Sequence, residues 1–104
     1  MSISGPELLA RIDAHHAPVI LDVRSREEFA AGHVPGAIHV PFWTVRQHEA
    51  DIPASPDQSV VVYCGYGPRA WIAGAALRRL GFKNIVYLRG HWHLWQKAGL
   101  REEK

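Results

Sequence analysis

Residues 59–81 read SVVVYCGYGPRAWIAGAALRRLG and contain the clearest strand and the clearest helix of the chain. The segment SVVVYC is short, apolar and rich in β-branched valine, which is typical of a buried strand. The segment RAWIAGAALRRLG has apolar residues at helical spacing and ends at Gly81, a common helix stop. We expect the apolar face of this helix to consist of Ile72, Ala76, Leu77 and Leu80. The stretch therefore predicts a strand, a tight loop and a helix in succession.

Other short apolar segments predict further strands of the same sheet. VILDV, after Pro18, and NIVYL, at residues 84–88, have the uninterrupted apolar character of buried strands, and residues 38–40 predict a shorter one. Helical segments separate these strands, and no hairpin signal joins any two of them. The sequence therefore predicts an α/β fold, with a mostly parallel central sheet and helices on both faces.

Two serines have the spacing of helix caps. Ser4 precedes Glu7 by three residues, and Ser25 precedes Glu28 by the same distance, which is the pattern of a capping box. GHWHLWQKAG predicts a last short helix. Residues 44–58 favour a loop with at most one helical turn.

Length and composition restrict the class of protein. With 104 residues, of which 47% are hydrophobic and 21% charged, the chain is suited to one domain, residues 1–104. The net charge of +2 is spread along the chain, which gives no reason to expect a nucleic-acid partner. The sequence shows no basic leader and no apolar run approaching the roughly 20 residues of a membrane helix. We expect a soluble, cytoplasmic protein without a membrane partner.

Cys64 is the only cysteine, and it lies where the predicted strand meets the loop. A loop that leads into a helix N-terminus directs backbone N–H groups and the helix dipole toward one point, where an anion is stabilised. Gly65 and Gly67 permit the sharp backbone turn, and Arg69 adds a positive charge. These features predict a lowered thiol pKa and a nucleophilic thiolate. The alternative is a buried, inert cysteine that ends a strand.

Three segments resemble the rhodanese family of sulfurtransferases, over nearly the whole chain. LDVRSREEFAAGHVPGAIHVP, residues 21–41, is similar to the family's strand, Glu-containing helix and Gly-His-x-Pro-Gly-Ala turn. CGYGPR, residues 64–69, is similar to its C-x-x-G-x-R active loop. VYLRGHWHLWQKAGL, residues 86–100, resembles its last strand, glycine turn and Trp-bearing helix.

The resemblance implies a ping-pong sulfurtransferase without a cofactor. The Cys64 thiolate would take the outer sulfur of a donor such as thiosulfate, and the resulting persulfide would pass it to cyanide, a thiol or an acceptor protein. An internal second cysteine would discharge the persulfide as a disulfide, so a single cysteine suits this scheme. The resemblance assigns catalysis to Cys64 and substrate binding to Gly65, Tyr66, Gly67, Pro68 and Arg69.

Several positions depart from the family pattern. Pro68 has no N–H, so the loop can lose one donor to a bound anion. Gly65 and Tyr66 carry no charge, which leaves Arg69 as the only cation of the loop for a dianionic donor. The donor therefore stays open, and a mercaptopyruvate-like carboxylate is an alternative to thiosulfate. His91 stands where many relatives have the second glycine of a Gly-Gly pair.

Two other functions stay open. Cysteine phosphatases and arsenate reductases need an arginine that closes around a tetrahedral oxyanion, as in C-x5-R, but that position is Ala70 and Arg69 comes one residue early. Rhodanese-like domains also serve as non-catalytic or regulatory binding modules, against which the presence of both Cys64 and Arg69 counts.

Charged residues near the first motif have a structural interpretation. Asp22, Arg24 and Glu28 are expected to form an ion-pair network that braces the active loop, because buried charges are generally paired. His91 and His93 are two residues apart and lack the i, i+4 spacing of ligands on one helix face. We therefore predict no metal site.

Overall fold

The structure, a computed structural model, describes residues 1–104 and consists of strands and helices that alternate along the chain. The strands are β1 (Ser2–Ile3), β2 (Val19–Asp22), β3 (Ile38–His39), β4 (Ser59–Tyr63) and β5 (Asn84–Leu88). The helices are α1 (Gly5–Asp13), α2 (Arg26–Ala31), α3 (Pro68–Arg79) and α4 (His91–Lys97). The five strands form one parallel sheet in the order β1-β5-β4-β2-β3. The predicted α/β fold with a parallel sheet is confirmed.

The core has two layers, one on each face of the sheet. Val60, Val62 and Cys64 belong to a cluster of 13 buried residues that includes the inner side of α3. Val61 and Tyr63 belong to a second cluster of 9, which includes side chains of α1 and α4. Since successive residues of a strand face opposite sides of a sheet, the alternation along β4 means that helices cover both faces. The central strand is buried on both sides, which explains its run of valines.

Both predicted helix starts are confirmed by their caps. Ser4 Oγ accepts the N–H of Glu7 at 3.2 Å, at the start of α1. At the start of α2, Ser25 Oγ accepts the N–H of Glu28 at 3.2 Å, and the Glu28 carboxylate accepts the N–H of Ser25 at 3.0 Å. The two hydrogen bonds between Ser25 and Glu28 form a full capping box, which fixes the position of the Glu28 side chain.

The predicted apolar face of α3 is wrong at Ile72, which is 55% exposed. Leu77 is buried as expected, and Ala76 and Leu80 are only partly buried at the edge of the core. Small residues allow the helix to lie close to the sheet, and the space of a Cβ on Gly74 is filled by the Tyr87 hydroxyl. The buried face consists of Ala70, Ala73, Gly74 and Leu77.

The segment between β3 and β4 is largely irregular. It contains one 3-10 turn, Glu49–Asp51, in agreement with the expectation for residues 44–58. Val45 and Ile52 are nevertheless buried and join the core layer on the α3 side. None of the helices combines the length and the apolar character that a membrane crossing requires.

Candidate active site

Cys64 follows β4 at the carboxyl edge of the sheet and is 1% exposed. Gly67 lies before α3 with a φ of 142°, a conformation that residues with a Cβ rarely adopt. Its N–H donates to Cys64 Sγ at 2.9 Å. Pro68 occupies the first turn of α3, where its fixed φ suits a helix start. The chain therefore turns from strand to helix with a backbone donor directed at the sulfur.

The pKa of the Cys64 thiol reflects opposing effects. Burial raises this pKa, but a side-chain hydrogen bond from His91 and backbone hydrogen bonds from Ala70 and Gly67 lower it to about 7. Hydrogen bonds of this kind favour the charged form of the acceptor. A substantial fraction of the thiol is therefore thiolate at neutral pH.

The missing N–H of Pro68 does not remove either of these backbone donors. The N–H that bonds to the sulfur belongs to Gly67, the residue before Pro68, and the N–H of Ala70, the second residue after Pro68, also lowers the thiol pKa. An N–H at the first helical position has no partner within the helix, and proline lacks it at little cost. The loop therefore keeps the Gly67 donor on the thiol.

Arg69 is turned toward Glu28 of α2. Its Nη1 donates to Glu28 Oε1 at 2.7 Å and its Nη2 to Glu28 Oε2 at 3.1 Å, a two-bond arrangement. The guanidinium holds the pKa of the Glu28 carboxyl at about 2, below its usual 4.5, and the carboxylate raises the pKa of Arg69. A Cβ on Gly65 would lie 3.1 Å from Arg69 Nη2, so the guanidinium also lies beside the loop backbone. The cation expected to be available to a dianionic donor is already paired.

Asp22 and Arg24 form a buried pair that does not include Glu28. Arg24 Nη2 donates to Asp22 Oδ2 at 2.7 Å and to the carbonyl of Gly32 at 2.7 Å. Tyr63, the residue before Cys64, donates its hydroxyl proton to Asp22 Oδ2 at 2.7 Å, and its oxygen accepts the N–H of Val34 at 3.0 Å. The expected single network of Asp22, Arg24 and Glu28 is therefore two separate ones. Asp22 and Arg24 hold the end of β4, and Glu28 joins α2 to α3 through Arg69.

His91 contacts Cys64 directly, although the sequence did not reveal which way its ring points. The ring is buried, and Nδ1 accepts the backbone N–H of Cys64 at 3.2 Å. The start of α4 also binds the loop, since the N–H of Trp92 donates to the Cys64 carbonyl at 3.0 Å and that of His93 to the Gly65 carbonyl at 3.1 Å. The only signal in the sequence was a histidine directly after the glycine of the turn.

Two exposed aromatic side chains stand beside the loop. Tyr66 is 75% exposed and its ring stacks on that of His93 with centroids 4.8 Å apart. Trp71 is 61% exposed, and its Cζ2 lies 3.6 Å from the position of a Cβ on Gly67. Large exposed apolar side chains next to a reactive group are typical of a contact surface for a substrate or partner.

No three histidine, cysteine, aspartate or glutamate side chains lie close enough together to hold a metal ion. None of the five surface cavities is lined by residues 64–69. The sulfur site is thus a buried thiol at the turn between β4 and α3, and its chemistry depends on the thiol and the groups around it.

Comparison with known proteins shows what this chain is similar to. The family model of the rhodanese-like domain matches residues 4–98. A sulfurtransferase of Allochromatium vinosum is 31% identical over 98 residues, covering 94% of this chain and 90% of that protein. The thiosulfate:glutathione sulfurtransferase of Homo sapiens is 30% identical over 106 aligned positions, covering 90% of this chain and 91% of that protein.

Solved structures and longer relatives extend the comparison. The crystal structure of the Alr3790 protein from Anabaena superposes with a TM-score of 0.84 at 26% identity, covering 97% of this chain and 80% of that chain. Other relatives are longer proteins, and this chain spans between 22% and 52% of their length.

Proposed function

This chain belongs to the family of rhodanese-like domains, and on that premise we propose that it transfers sulfane sulfur through a persulfide on Cys64. Relatives at 30% and 31% identity are named sulfurtransferases. The observation that carries the proposal is the contact between the Gly67 N–H and Cys64 Sγ at 2.9 Å. A thiolate and a persulfide are both anions in this place, so the same donors stabilise the resting and the loaded enzyme.

The first half-reaction loads the enzyme. The Cys64 thiolate attacks the outer sulfur of thiosulfate, a new sulfur–sulfur bond forms on the cysteine, and the bond to the sulfite group breaks. Sulfite leaves with the electron pair of that bond. Sulfite is a good leaving group, so anion stabilisation rather than a general acid lowers the barrier.

The second half-reaction transfers the outer sulfur from the enzyme to an acceptor. A nucleophile such as cyanide or a thiolate attacks the outer sulfur of the persulfide, and the Cys64 thiolate is regenerated. Cys64 is the only cysteine, so no internal thiol competes for that sulfur. A thiol such as glutathione, which appears in the name of the human relative, or an acceptor protein is the proposed physiological acceptor.

The loop residues bind the donor in different ways. Gly65 and Gly67 keep the backbone close to the sulfur, and Pro68 starts α3. Tyr66 contributes an exposed ring at the surface. Arg69 is held by Glu28, so the positive charge of the loop is largely compensated and a singly charged donor suits the site as well as a dianionic one. Thiosulfate and a mercaptopyruvate-like carboxylate are therefore both proposed donors.

A cysteine phosphatase or arsenate reductase is less compatible with this loop. The residue at the C-x5-R position is Ala70, which offers the thiol a backbone N–H rather than a side chain. Arg69 points to Glu28 and does not close around the sulfur. A tetrahedral oxyanion would lack the guanidinium that such enzymes use.

We place the protein in the cytoplasm, because a catalytic free thiol persists in a reducing compartment. Its partners are then a small sulfur donor and a thiol or acceptor protein.

Steady-state kinetics with thiosulfate or mercaptopyruvate as donor, and cyanide or glutathione as acceptor, test the proposal. A ping-pong mechanism predicts parallel lines in double-reciprocal plots, with no activity in Cys64→Ser. Intersecting lines, or equal turnover by Cys64→Ser, would contradict a covalent sulfur intermediate on this residue. Full binding of a partner protein without turnover of any donor would favour the non-catalytic module.

A further inference from the structure

The buried ring of His91 lies between α4 and the active loop. Nδ1 accepts the backbone N–H of Cys64 at 3.2 Å. A backbone nitrogen always carries its proton, so the ring nitrogen that faces it is the one without a proton. The neutral ring therefore carries its proton on Nε2.

Nε2 faces the loop on the side of Gly67. It lies 3.5 Å from the position of a Cβ on Gly67, whose own N–H donates to Cys64 Sγ. It has no oxygen or nitrogen partner within the protein, and no buried side-chain nitrogen lacks a partner, so Nε2 is not fully closed off from solvent. Nε2 therefore lies beside the residue whose N–H binds the sulfur, and its proton has no partner within the protein.

The backbone of His91 favours this interpretation. Its φ is 53°, directly after Gly90 with a φ of 74°. Residues with a Cβ adopt this left-handed region at a free-energy cost, which glycine does not have. A histidine stands here although a glycine would adopt this backbone without strain, and its ring, unlike that of exposed His15, is buried against the loop.

Few charged groups surround the ring. Arg69 of α3 is bound to Glu28 of α2. Arg89, after β5, lines a small cavity together with His91 and donates to Ser2. No carboxylate lies within ion-pair distance of the His91 ring. The ring therefore meets the sulfur site through its two nitrogen atoms and not through an ion pair.

We propose that His91 is a positioning residue of the sulfur site: Nδ1 fixes the backbone of Cys64, and the Nε2 proton adds a side-chain donor to the cradle of backbone N–H groups. The inference rests on the proposed function, since the anion that this donor stabilises is the thiolate and then the persulfide. Pro68 of the loop has no N–H to donate, and the inference assigns an additional donor to His91 of α4. The hydrogen bond from His91 that lowers the pKa of the thiol agrees with this geometry.

Three substitutions separate the two ring nitrogens. In His91→Gln the amide reaches the place of Nε2, in His91→Asn it reaches only the place of Nδ1, and in His91→Phe both polar atoms are lost. His15→Asn is the matched control, because His15 is exposed, also has a positive φ of 60°, and lies before β2, at the opposite edge of the sheet from Cys64.

The rate of iodoacetamide alkylation against pH measures the pKa of Cys64 in each variant. We expect His91→Phe to raise the thiol pKa by about one unit, so that its thiolate fraction at neutral pH falls roughly fivefold. His91→Gln should return to within about threefold of the wild-type thiolate fraction, His91→Asn should not, and His15→Asn should equal the wild type.

Three outcomes would overturn the inference. Wild-type reactivity in His91→Phe would show that the ring does not act on the sulfur. Equal losses in His91→Gln and His91→Phe would show that the ring only fills space, and full reactivity in His91→Asn would assign the effect to Nδ1 alone. Should His91→Phe fail to fold, the comparison of the Gln and Asn variants decides the question.

Alkylation needs no sulfur donor, so this test is independent of the proposed function. The lifetime of the persulfide, followed by intact-protein mass after loading, is the second readout and should shorten in His91→Phe. A wild-type protein that never acquires sulfur would reject the proposed function, while the alkylation profile would still decide the role of His91.

Discussion

Cys64 lies against side chains and backbone groups from separate parts of the chain. Gly67 and Ala70 follow it closely, but His91 is 27 residues away and binds the Cys64 N–H from a different helix. The loop donors were expected from the sequence, because a strand that leads through glycines into a helix must direct N–H groups toward the turn. The contact of the His91 ring with Cys64 was not expected, because the direction of the ring depends on how α4 packs on the loop.

At this scale, Gly67→Ala tests the backbone donor. A Cβ at a φ of 142° is strained whatever the space around it, so the backbone should shift and move the Gly67 N–H away from the sulfur. We expect a loss of about 1–3 kcal/mol in the free energy of unfolding from strain, together with a raised thiol pKa. Thermal unfolding and the pH profile of alkylation measure the two effects.

Gly81→Ala is the control for that substitution. Gly81 also has a positive φ, 102°, but a Cβ there would meet nothing within 4 Å. It should lose similar stability with an unchanged thiol pKa. An unchanged thiol pKa in Gly67→Ala would contradict the role of the Gly67 N–H.

At the scale of elements, α2 and α3 are joined at their N-terminal ends by the pair of Glu28 and Arg69. These residues are 41 positions apart, so no sequence pattern revealed their pairing. The sequence did reveal that Glu28 belongs to the capping box of α2. The position of α3 was predicted from its periodicity, but of its buried face only Leu77 was. Large apolar side chains such as Ile72 guided the prediction, whereas Ala73 and Gly74 face the sheet because they are small. β1 has only two residues, too few to form a pattern.

The pH dependence of the stability of Glu28→Gln tests the ion pair between α2 and α3. The pKa of Glu28 is about 2 instead of 4.5, so the pair stabilises the fold fully above pH 4.5 and loses this effect as the pH falls toward 2. For a partly exposed pair we expect the variant to be about 1 kcal/mol less stable than the wild type at neutral pH. Chemical denaturation should show this difference shrinking below pH 4.5.

Glu27→Gln provides the matched charge change, since Glu27 is exposed in the same first turn of α2 and belongs to no ion pair. Its stability difference should stay near zero at every pH. A pH-independent difference for Glu28→Gln would contradict the ion-pair account.

Gly74→Ala tests the close approach of α3 to the sheet. In an unhindered helix this change stabilises by about 1 kcal/mol, but here the Tyr87 hydroxyl occupies the space of the new methyl group. We expect a net loss of stability that Tyr87→Phe partly relieves in the double variant. Calorimetry of the four proteins gives the coupling, and additive effects would contradict the contact.

At the scale of the whole molecule, the active edge is where β2, β4 and the segment after α2 are tied together by one buried network. Tyr63 connects Asp22 of β2 to the N–H of Val34, and Arg24 connects Asp22 to the carbonyl of Gly32. The parallel order of the strands, predicted from their apolar runs, brings their carboxyl ends to this edge. The partners of Tyr63 depend on side-chain directions that the sequence alone does not give.

Tyr63→Phe tests this network. Removal of the hydroxyl leaves the buried N–H of Val34 without its acceptor, and we expect a loss of about 1–3 kcal/mol in the free energy of unfolding. Tyr66→Phe, at an exposed ring, should change stability by less than about 0.5 kcal/mol. Urea denaturation compares the two, and equal stabilities would show that the network does not hold the edge.

Intact-protein mass spectrometry after incubation with thiosulfate, and separately with mercaptopyruvate, tests most directly whether Cys64 carries sulfur. The account predicts a gain of about 32 Da, which cyanide reverses and which Cys64→Ser does not show. No gain with either donor in protein whose thiol is free, or the same gain in Cys64→Ser, would contradict it.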